Sequence, residues 1–254
     1  GFTQPAFGVQ YNPPYYKDLF EEYGFKFYFE QVTNHLDLTK KFPDRFWKIA
    51  EWISQKPNFR FEHFQLKNSE KYIHDLVDIY NTAWKYHENF QPFTIEQIRK
   101  TFRDMKQIID PEFIWFVYHE DNPIAFLIML PDVNQILKRL NGKMHLINKI
   151  KFAYLKWKKT ITRARIVIMG VKPKFQRYGV ESGIFWHLDK VMKRKPWYNE
   201  IVLSWVGDFN PKMRAIHESV GANFGKRHIT YRYLFSDNKE FKRSNIISVD
   251  TKYK

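Results

Sequence analysis

Cysteine is absent from the 254 residues of this chain, which excludes disulfides and thiolate chemistry. That absence fits a reducing compartment, so we expect a cytoplasmic protein. No run of about 18 apolar residues occurs, so no helix is expected to span a bilayer. The chain begins at Gly1 without Met or a signal-peptide pattern, and we expect it to be a fragment or to have lost its natural start.

Motifs for two common kinds of enzyme are also missing. The nine histidines are scattered, and no His-x-x-x-His pair has acidic residues nearby, so no metal site is predicted. The Gly-x-Ser-x-Gly elbow that exposes a nucleophilic serine does not occur either. The sequence therefore favours neither a zinc enzyme nor a serine hydrolase.

Acidic residues are missing from one long stretch. Residues 133–180 contain 13 Lys and Arg and no Asp or Glu, while the whole chain has a net charge of +15. The positive charge is therefore concentrated on one part of the chain. A local basic surface of this kind suits an anion such as the phosphates of coenzyme A (CoA), an acidic lipid surface or a nucleic acid.

The residues that are present favour a packed α/β domain, because 44% are apolar and 19% are aromatic. Hydrophobic periodicity and capping signals predict strands and helices in alternation. The predicted strands cover residues 25–31, 59–66, 113–119, 124–130, 165–171, 200–206 and 229–235, and the third and fourth of them form a β-hairpin through Glu120 and Asp121. The predicted helices cover residues 16–22, 43–54, 70–84, 146–157, 180–192 and 211–220, with a further helix starting at the capping box of Thr94 and Gln97.

The strongest functional signal is the transition from strand to helix around residues 165–192. The strand leads into a loop that contains Gln176, Arg177 and Gly179, and a helix follows. The first N–H groups of a helix are unpaired and attract phosphate groups. Gly179 permits a positive φ and a close approach of the backbone to a ligand.

This loop resembles the cofactor loop of GNAT acetyltransferases, whose pattern is Gln/Arg-x-x-Gly-x-Gly/Ala. Gln176 and Gly179 match the pattern, and Glu181 departs from it. A second match follows, in which Asn210 precedes a short helix that ends at Gly221. The order of the predicted elements over residues 59–235 also resembles that of the family.

The resemblance implies an α/β (α+β) fold with a mixed sheet of about six to seven strands, flanked by helices. The sheet is expected to splay between strands 165–171 and 200–206, where acetyl-CoA or another acyl-CoA would lie. The enzyme would then transfer the acyl group to a small-molecule amine, and an anionic amine is one option. The residues expected to bind the cofactor are Met169, Val171, Gln176, Arg177, Tyr178, Gly179, Val180, Asn210 and Met213.

The acid–base residues are less clearly indicated. The family often has a tyrosine general acid in its last helix, and His217 stands there in this chain. The strand before the loop offers no acid, so Asp208 is the nearest substitute for a base. The alternatives that stay open are a surface role for His217, a helix-capping role for Asp208, and a water chain in place of a base.

The domain organisation is expected to have three parts. Residues 1–58 would be the remnant of a preceding GNAT-like repeat plus a linker helix, 59–240 the acyltransferase domain, and 241–254 a polar tail. The spacing from Asn12 to Gly24 resembles that from Asn210 to Gly221, which favours a tandem repeat. Alternative functions are an acyl-CoA-binding module without catalysis and a Fem-like transferase that uses aminoacyl-tRNA.

The helix predicted over residues 146–157 is basic and amphipathic, and three interpretations of it are open. In the first interpretation, the apolar stripe of the helix packs on the sheet and the lysines lie in solvent. Alternatively, the helix lines the acceptor pocket, or it contacts an anionic membrane or tRNA. The first is the default, and a nucleic acid is the less favoured partner.

Overall fold

The computed structural model describes residues 2–85, 90–236 and 239–246. Within these ranges one open, mixed sheet of seven strands has the order β2-β3-β4-β5-β6-β1-β7. The strands are β1 (Lys26–Asp37), β2 (Phe59–His63), β3 (Ile114–His119), β4 (Asn122–Pro131), β5 (Arg163–Val171), β6 (Glu200–Gly207) and β7 (Asn223–Arg232). The helices are α1 (Tyr16–Glu22), α2 (Asp44–Ser54), α3 (Ser69–Trp84), α4 (Ile95–Met105), α5 (Asn134–Leu137), α6 (Leu146–Trp157), α7 (Val180–Arg194) and α8 (Pro211–Ser219).

Helices cover both faces of the sheet. On one face α2 and α7 bury a core that includes Phe46, Ala50, Ile184 and Leu188. On the other face α3 and α4 cover a second cluster, which contains Tyr72 and Leu76 together with Phe116 and Phe126 of the sheet. The predicted α/β architecture with a mixed sheet flanked by helices is therefore confirmed.

Several local predictions are confirmed by the geometry of the backbone and caps. Thr94 and Gln97 form a capping box at the start of α4. Glu120 and Asp121 both have positive φ and connect β3 to β4 in an antiparallel hairpin.

The sheet divides between β5 and β6. These parallel strands pair only at Arg163 to Arg165, although β5 continues to Val171. Beyond Arg165 one edge of β5 has no strand partner among the described residues, and the predicted splay is confirmed. The opening of this gap lies where β5 leads into the loop before α7.

The N-terminal strand β1 is an internal strand of the same sheet. It pairs antiparallel with β6 on one side and with β7 on the other. The sheet therefore crosses the boundary expected at residue 58, and α2 packs directly on α7. Residues 1–58 do not form a separate body in the described structure, and their origin in a preceding repeat stays a prediction.

Three predicted strands are wrong at their ends. The strand expected over 59–66 stops at His63, and a short 3-10 helix begins at Leu66. The strand expected over 25–31 extends to Asp37, because its polar residues find partners in the strands on either side. The last strand runs over Asn223–Arg232 instead of 229–235. It begins two residues after Gly221, whose φ of +79° lets the chain leave α8.

Helix α6 presents its apolar stripe to solvent, so the default interpretation of a stripe packed on the sheet is wrong. Phe152 and Leu155 pack against the core from the opposite side of the helix. The large apolar side chains of the stripe are 52% to 74% exposed. They are Leu146, Ile147, Ile150, Tyr154 and Trp157. The polar tail predicted over 241–254 has no helix or strand up to residue 246, and from 247 on it lies outside the described residues.

Candidate functional site

A cavity of about 590 Å³ lies at the N-terminus of α7. Its walls come from three parts of the chain: α2, the loop and first turn of α7, and α8. The lining residues are Lys48, Ile49, Trp52, Gln176, Arg177, Tyr178, Gly179, Glu181, Ser182, Lys212 and Ile216. Four of the residues predicted to bind a cofactor, Gln176 to Gly179, therefore face one cavity.

Gly179 shapes the floor of this cavity. Its φ is +73°, so the predicted left-handed conformation is confirmed. A Cβ at this position would lie 2.9 Å from Cγ2 of Ile49 on α2. Only glycine lets α2 approach the loop this closely.

The side chain of Gln176 connects β5 to α8. Its Nε2 donates to the carbonyl oxygen of Val171 at 3.2 Å, and its Oε1 accepts from Nζ of Lys212 at 2.9 Å. The amide thus fixes the start of the loop to the end of β5 and positions Lys212 at the cavity wall.

Three cations surround the cavity, and each comes from a different element: Lys48 from α2, Arg177 from the loop and Lys212 from α8. Burial lowers the pKa of Lys212, and the nearby positive charge of Arg177 lowers it further, whereas Glu181 opposes the shift. The cavity is therefore predominantly positive and suited to an anion of several charges.

Glu181 is the acidic residue of the cavity. It is only 5% exposed, and burial raises the pKa of its carboxyl group. A hydrogen bond from its own backbone N–H and the charge of Lys212 act in the opposite direction. The residue that departs from the GNAT pattern is thus a buried carboxyl group at the helix terminus.

The edge of β5 that faces the gap bears Met169 and Val171, which pair with β4 on their other side. One hydroxyl group crosses the gap: Oγ of Ser204 donates to the carbonyl oxygen of Val167 at 2.9 Å. Nη2 of Arg165 lies 3.2 Å from the same Oγ. Beyond this contact, the β5 edge is positioned to bind an extended ligand by its backbone.

Of the other predicted residues, Val180 is fully buried in the core, while Asn210, Met213 and Asp208 have hydrogen-bond or ion-pair partners. Oδ1 of Asn210 accepts from the N–H of Met213 at 3.1 Å and caps α8. Asp208 forms an ion pair with Arg243. The capping role considered for Asp208 is therefore filled by Asn210.

His217 is buried, with 6% of its surface exposed, so the alternative of a surface role for this histidine is wrong. Its Nδ1 lies 3.1 Å from Nδ2 of Asn34 on β1. Burial lowers the pKa of His217 to about 4, which keeps the imidazole neutral at neutral pH.

Sequence reasoning missed Lys48, Lys212 and Ser204. Lys212 stands two residues after Asn210, so the predicted start of α8 could have placed it near the loop. Lys48 lies in the segment predicted to belong to a preceding repeat, and no sequence pattern connects it to the loop before α7. Ser204 lies within a hydrophobic strand, and no local pattern distinguishes it.

No helix in the described ranges is both long and apolar enough to cross a membrane. No family model matches the sequence.

Two curated proteins are similar in sequence. One, named bacterial ceramide synthase, comes from Caulobacter vibrioides (strain NA1000 / CB15N) and is 32% identical over 163 residues, which are 63% of this chain and 42% of that protein. The other is protein YghO of Escherichia coli (strain K12), which is 24% identical over 237 residues, covering 90% of this chain and 59% of YghO. The chain thus spans about half the length of these relatives.

Solved structures match over most of the chain. A GCN5-related N-acetyltransferase from Sphaerobacter thermophilus has a TM-score of 0.54 at 10% identity, covering 88% of this chain and 57% of that structure. A tandem GNAT protein from the clavulanic acid biosynthesis pathway also has a TM-score of 0.54, at 8% identity, with 89% and 60% covered. The chain therefore has the fold of the GCN5-related N-acetyltransferases (GNAT), as its loop and element order indicated.

Proposed function

We propose that this protein is an N-acyltransferase that uses acetyl-CoA or a longer acyl-CoA as donor and works in the cytoplasm. In the reaction, an amide bond forms between the amine nitrogen and the acyl carbon, and the thioester C–S bond breaks. The CoA sulfur leaves as a thiol, and the proton it gains replaces the one that the amine loses.

The observation that carries this proposal is the position of the cavity. It lies at the N-terminus of α7, where Lys48, Arg177 and Lys212 surround it, and the loop that lines it follows directly on β5, which is unpaired with β6 beyond Arg165. A CoA molecule has a pyrophosphate for the helix terminus and an amide-containing arm for a strand edge. The open edge of β5 and the N-terminus of α7 offer these two surfaces, and residues 172–179 connect them.

Glu181 is the feature that opposes this fit, because an ionised carboxylate would repel a pyrophosphate. Burial raises the pKa of Glu181, which reduces its charge at a given pH, and Lys212 offsets what charge remains. We propose that acyl-CoA binds because the raised pKa of Glu181 and the charge of Lys212 reduce this repulsion. Gln176 keeps Lys212 in place.

The acceptor is proposed to be a long-chain amine and the acyl group a fatty acyl chain. A ceramide is a long-chain amino alcohol whose nitrogen bears a fatty acyl group. The relative named bacterial ceramide synthase is 32% identical over 163 residues of this chain, and that similarity supports the same class of acceptor here.

Proton transfer is assigned to Asp208 and His217 as a proposal. His217 would donate a ring N–H proton to the departing thiolate as the general acid, and Asp208 would act as the base only if it is released from Arg243. A water molecule could connect Asp208 to the amine.

Thiol release tests the proposal directly. The protein has no cysteine, so a thiol reagent detects only the CoA released. The purified protein is mixed with acyl-CoA esters of increasing chain length and a panel of short and long amines. We expect release above hydrolysis with a long-chain amine and loss of it in Lys212→Met. A complete lack of amine-dependent release across the panel contradicts the proposal.

The second candidate is an acyl-CoA-binding module without catalysis. Asp208 is held in an ion pair and His217 is buried against Asn34, which favours this candidate. It predicts that CoA raises the melting temperature while no amine yields free thiol. Raised melting together with thiol release excludes it.

A further inference from the structure

We propose that α6 docks this protein on the surface of an anionic lipid bilayer, with the helix lying in the plane of the headgroups. The bilayer is chosen as the occupant because the exposed face of α6 is apolar at its centre and cationic at both margins.

The exposed apolar side chains of α6 form one continuous stripe. At 3.6 residues per turn, the five positions lie within an arc of roughly 100°. Leu146, Ile147 and Trp157 are more than 70% exposed, and Ile150 and Tyr154 are more than half exposed. This is an unusual amount of apolar surface for a single 12-residue helix in water.

The opposite side of α6 attaches it to the domain. Phe152 and Leu155 are partly buried against the core, and Nδ2 of Asn148 donates to the carbonyl oxygen of Lys143 at 2.7 Å. The helix is therefore already held by its own inward face. The stripe is not needed for that attachment and is free to bind another surface.

Exposed lysines border the stripe on both sides. Lys149 and Lys156 lie along one margin, and Lys151 and Lys158 along the other. The helix belongs to the stretch of residues 133–180, which has 13 basic residues and no acidic ones. Such a helix, with apolar residues between lysines, is suited to the interface of an anionic membrane.

Tyr154 and Trp157 add a second indication of a bilayer. Tyrosine and tryptophan are enriched at the level of the lipid headgroups, where one end of the ring is wet and the other is apolar. An RNA partner would account for the lysines and the aromatic rings. It would not account for Leu146, Ile147 and Ile150, which offer neither charge nor stacking.

Docking by α6 also extends the proposed function, since a long-chain amine acceptor would reside in the same bilayer. The two proposals can fail separately because binding to vesicles requires no turnover. Loss of vesicle binding with retained thiol release refutes docking alone. Retained docking without any thiol release refutes the proposed reaction alone.

Co-sedimentation with vesicles provides the test. The probes are vesicles of phosphatidylcholine and vesicles of phosphatidylcholine mixed with phosphatidylglycerol. We expect binding to the mixed vesicles and a decrease of that binding as salt rises. No binding to the mixed vesicles overturns the proposal.

Variants separate the apolar and cationic contributions. The double variant Ile147→Ser/Trp157→Ser and the double variant Lys149→Glu/Lys158→Glu should each weaken vesicle binding at least about tenfold. Leu66→Ser and Lys100→Glu, at exposed positions elsewhere, should leave it unchanged. All four should melt close to the parent protein because the substituted side chains are exposed.

Two other occupants are outcomes of the same experiment. A gel shift with tRNA that survives Ile147→Ser/Trp157→Ser, in a protein that does not bind vesicles, identifies a nucleic acid and overturns the proposal. A dimer in light scattering that dissociates in the same variant identifies a second copy of the chain and also overturns it. A monomer that binds only anionic vesicles supports docking.

Discussion

Nζ of Lys212 on α8 lies 2.9 Å from Oε1 of Gln176, in the loop between β5 and α7. This contact joins two segments that the sequence separates by more than thirty residues. It places a half-buried cation beside the N-terminus of α7, where the cavity opens. The electrostatics of the candidate site therefore depend on α8 as much as on the loop.

Replacing Lys212 by Met should weaken CoA binding by about tenfold or more, because a hydrogen bond to a charged group contributes roughly 1.5–3 kcal/mol. Isothermal calorimetry at fixed salt measures the effect. Lys212→Arg, which keeps the charge, should recover part of the affinity. Lys100→Met on α4 serves as the control, and an unchanged Kd in Lys212→Met contradicts a phosphate-binding role.

Replacing Glu181 by Gln should stabilise the protein at neutral pH. Burial raises the pKa of Glu181 above its unfolded value, so folding favours the protonated carboxyl group. The stabilising contribution of this group is full below the unfolded pKa, near pH 4, and is lost as pH rises through the folded pKa. The advantage of Glu181→Gln should therefore be absent below about pH 4 and grow as pH rises.

Urea denaturation across a pH series measures this difference. The exposed Glu218→Gln on α8 provides the baseline for removing a surface carboxyl group. The prediction is contradicted if the difference in unfolding free energy between Glu181→Gln and the parent protein does not vary with pH. Folding would then not raise the pKa of Glu181. CoA affinity should also rise in Glu181→Gln, since the opposing charge is gone.

Replacing Gly179 by Ala tests the floor of the cavity. The left-handed φ should cost about 1–2 kcal/mol, and the added methyl group would meet Cγ2 of Ile49 at 2.9 Å. Gly142 is a matched control, because its φ is +69° and a Cβ there meets nothing within 4 Å. Gly179→Ala should be the more destabilising of the two in chemical denaturation.

The extra cost at Gly179 should shrink when Ile49 is also replaced by Ala. That double variant removes the steric contact and leaves the cost of the φ angle. Equal effects of Gly142→Ala and Gly179→Ala would mean that α2 moves freely away from the loop.

The confirmed parts of the sequence-based prediction rest on local signals. The capping box at Thr94, the hairpin around Glu120 and Asp121, and the glycine before α7 each act within a few residues. The splay between β5 and β6 was implied by a family resemblance that rests on Gln176 and Gly179. Such features can be found without knowing which strands are neighbours.

The unpredicted parts depend on partners that are distant in sequence. Thr33, Asn34 and His35 are polar, and each has a partner across the sheet: His228, His217 and Glu200. Only the insertion of β1 between β6 and β7 satisfies these polar groups. The sequence pattern of β1 contains no signal of that insertion.

Helix α6 shows a different limit of sequence reasoning. Its periodicity correctly indicated an amphipathic helix, but periodicity does not state which face meets the core. Phe152 and Leu155, rather than the larger stripe, face inward. The most apolar face of a helix is therefore not always the face that is buried.

A buried ion pair at the end of β5 that is paired with β6 leads to the final prediction. Asp132 is fully buried, and its Oδ2 accepts from Nη2 of Arg163 at 2.6 Å, while Oδ1 accepts from the N–H of Phe7 at 2.8 Å. Asp132→Ala leaves Arg163 largely buried without its partner and removes one of the hydrogen bonds that hold the N-terminal segment. We expect a loss of about 3–5 kcal/mol in the free energy of unfolding.

Asp121→Asn is the matched control, because Asp121 pairs with Arg60 but its side chain is 91% exposed, and asparagine tolerates the positive φ of this position. This variant should change the free energy of unfolding by less than about 1 kcal/mol. Denaturation in urea compares the two at the same pH and salt. If Asp132→Ala is as stable as Asp121→Asn, then Arg163 and the segment around Phe7 find other partners. If it is much less stable, the paired end of β5 depends on the contacts of Asp132.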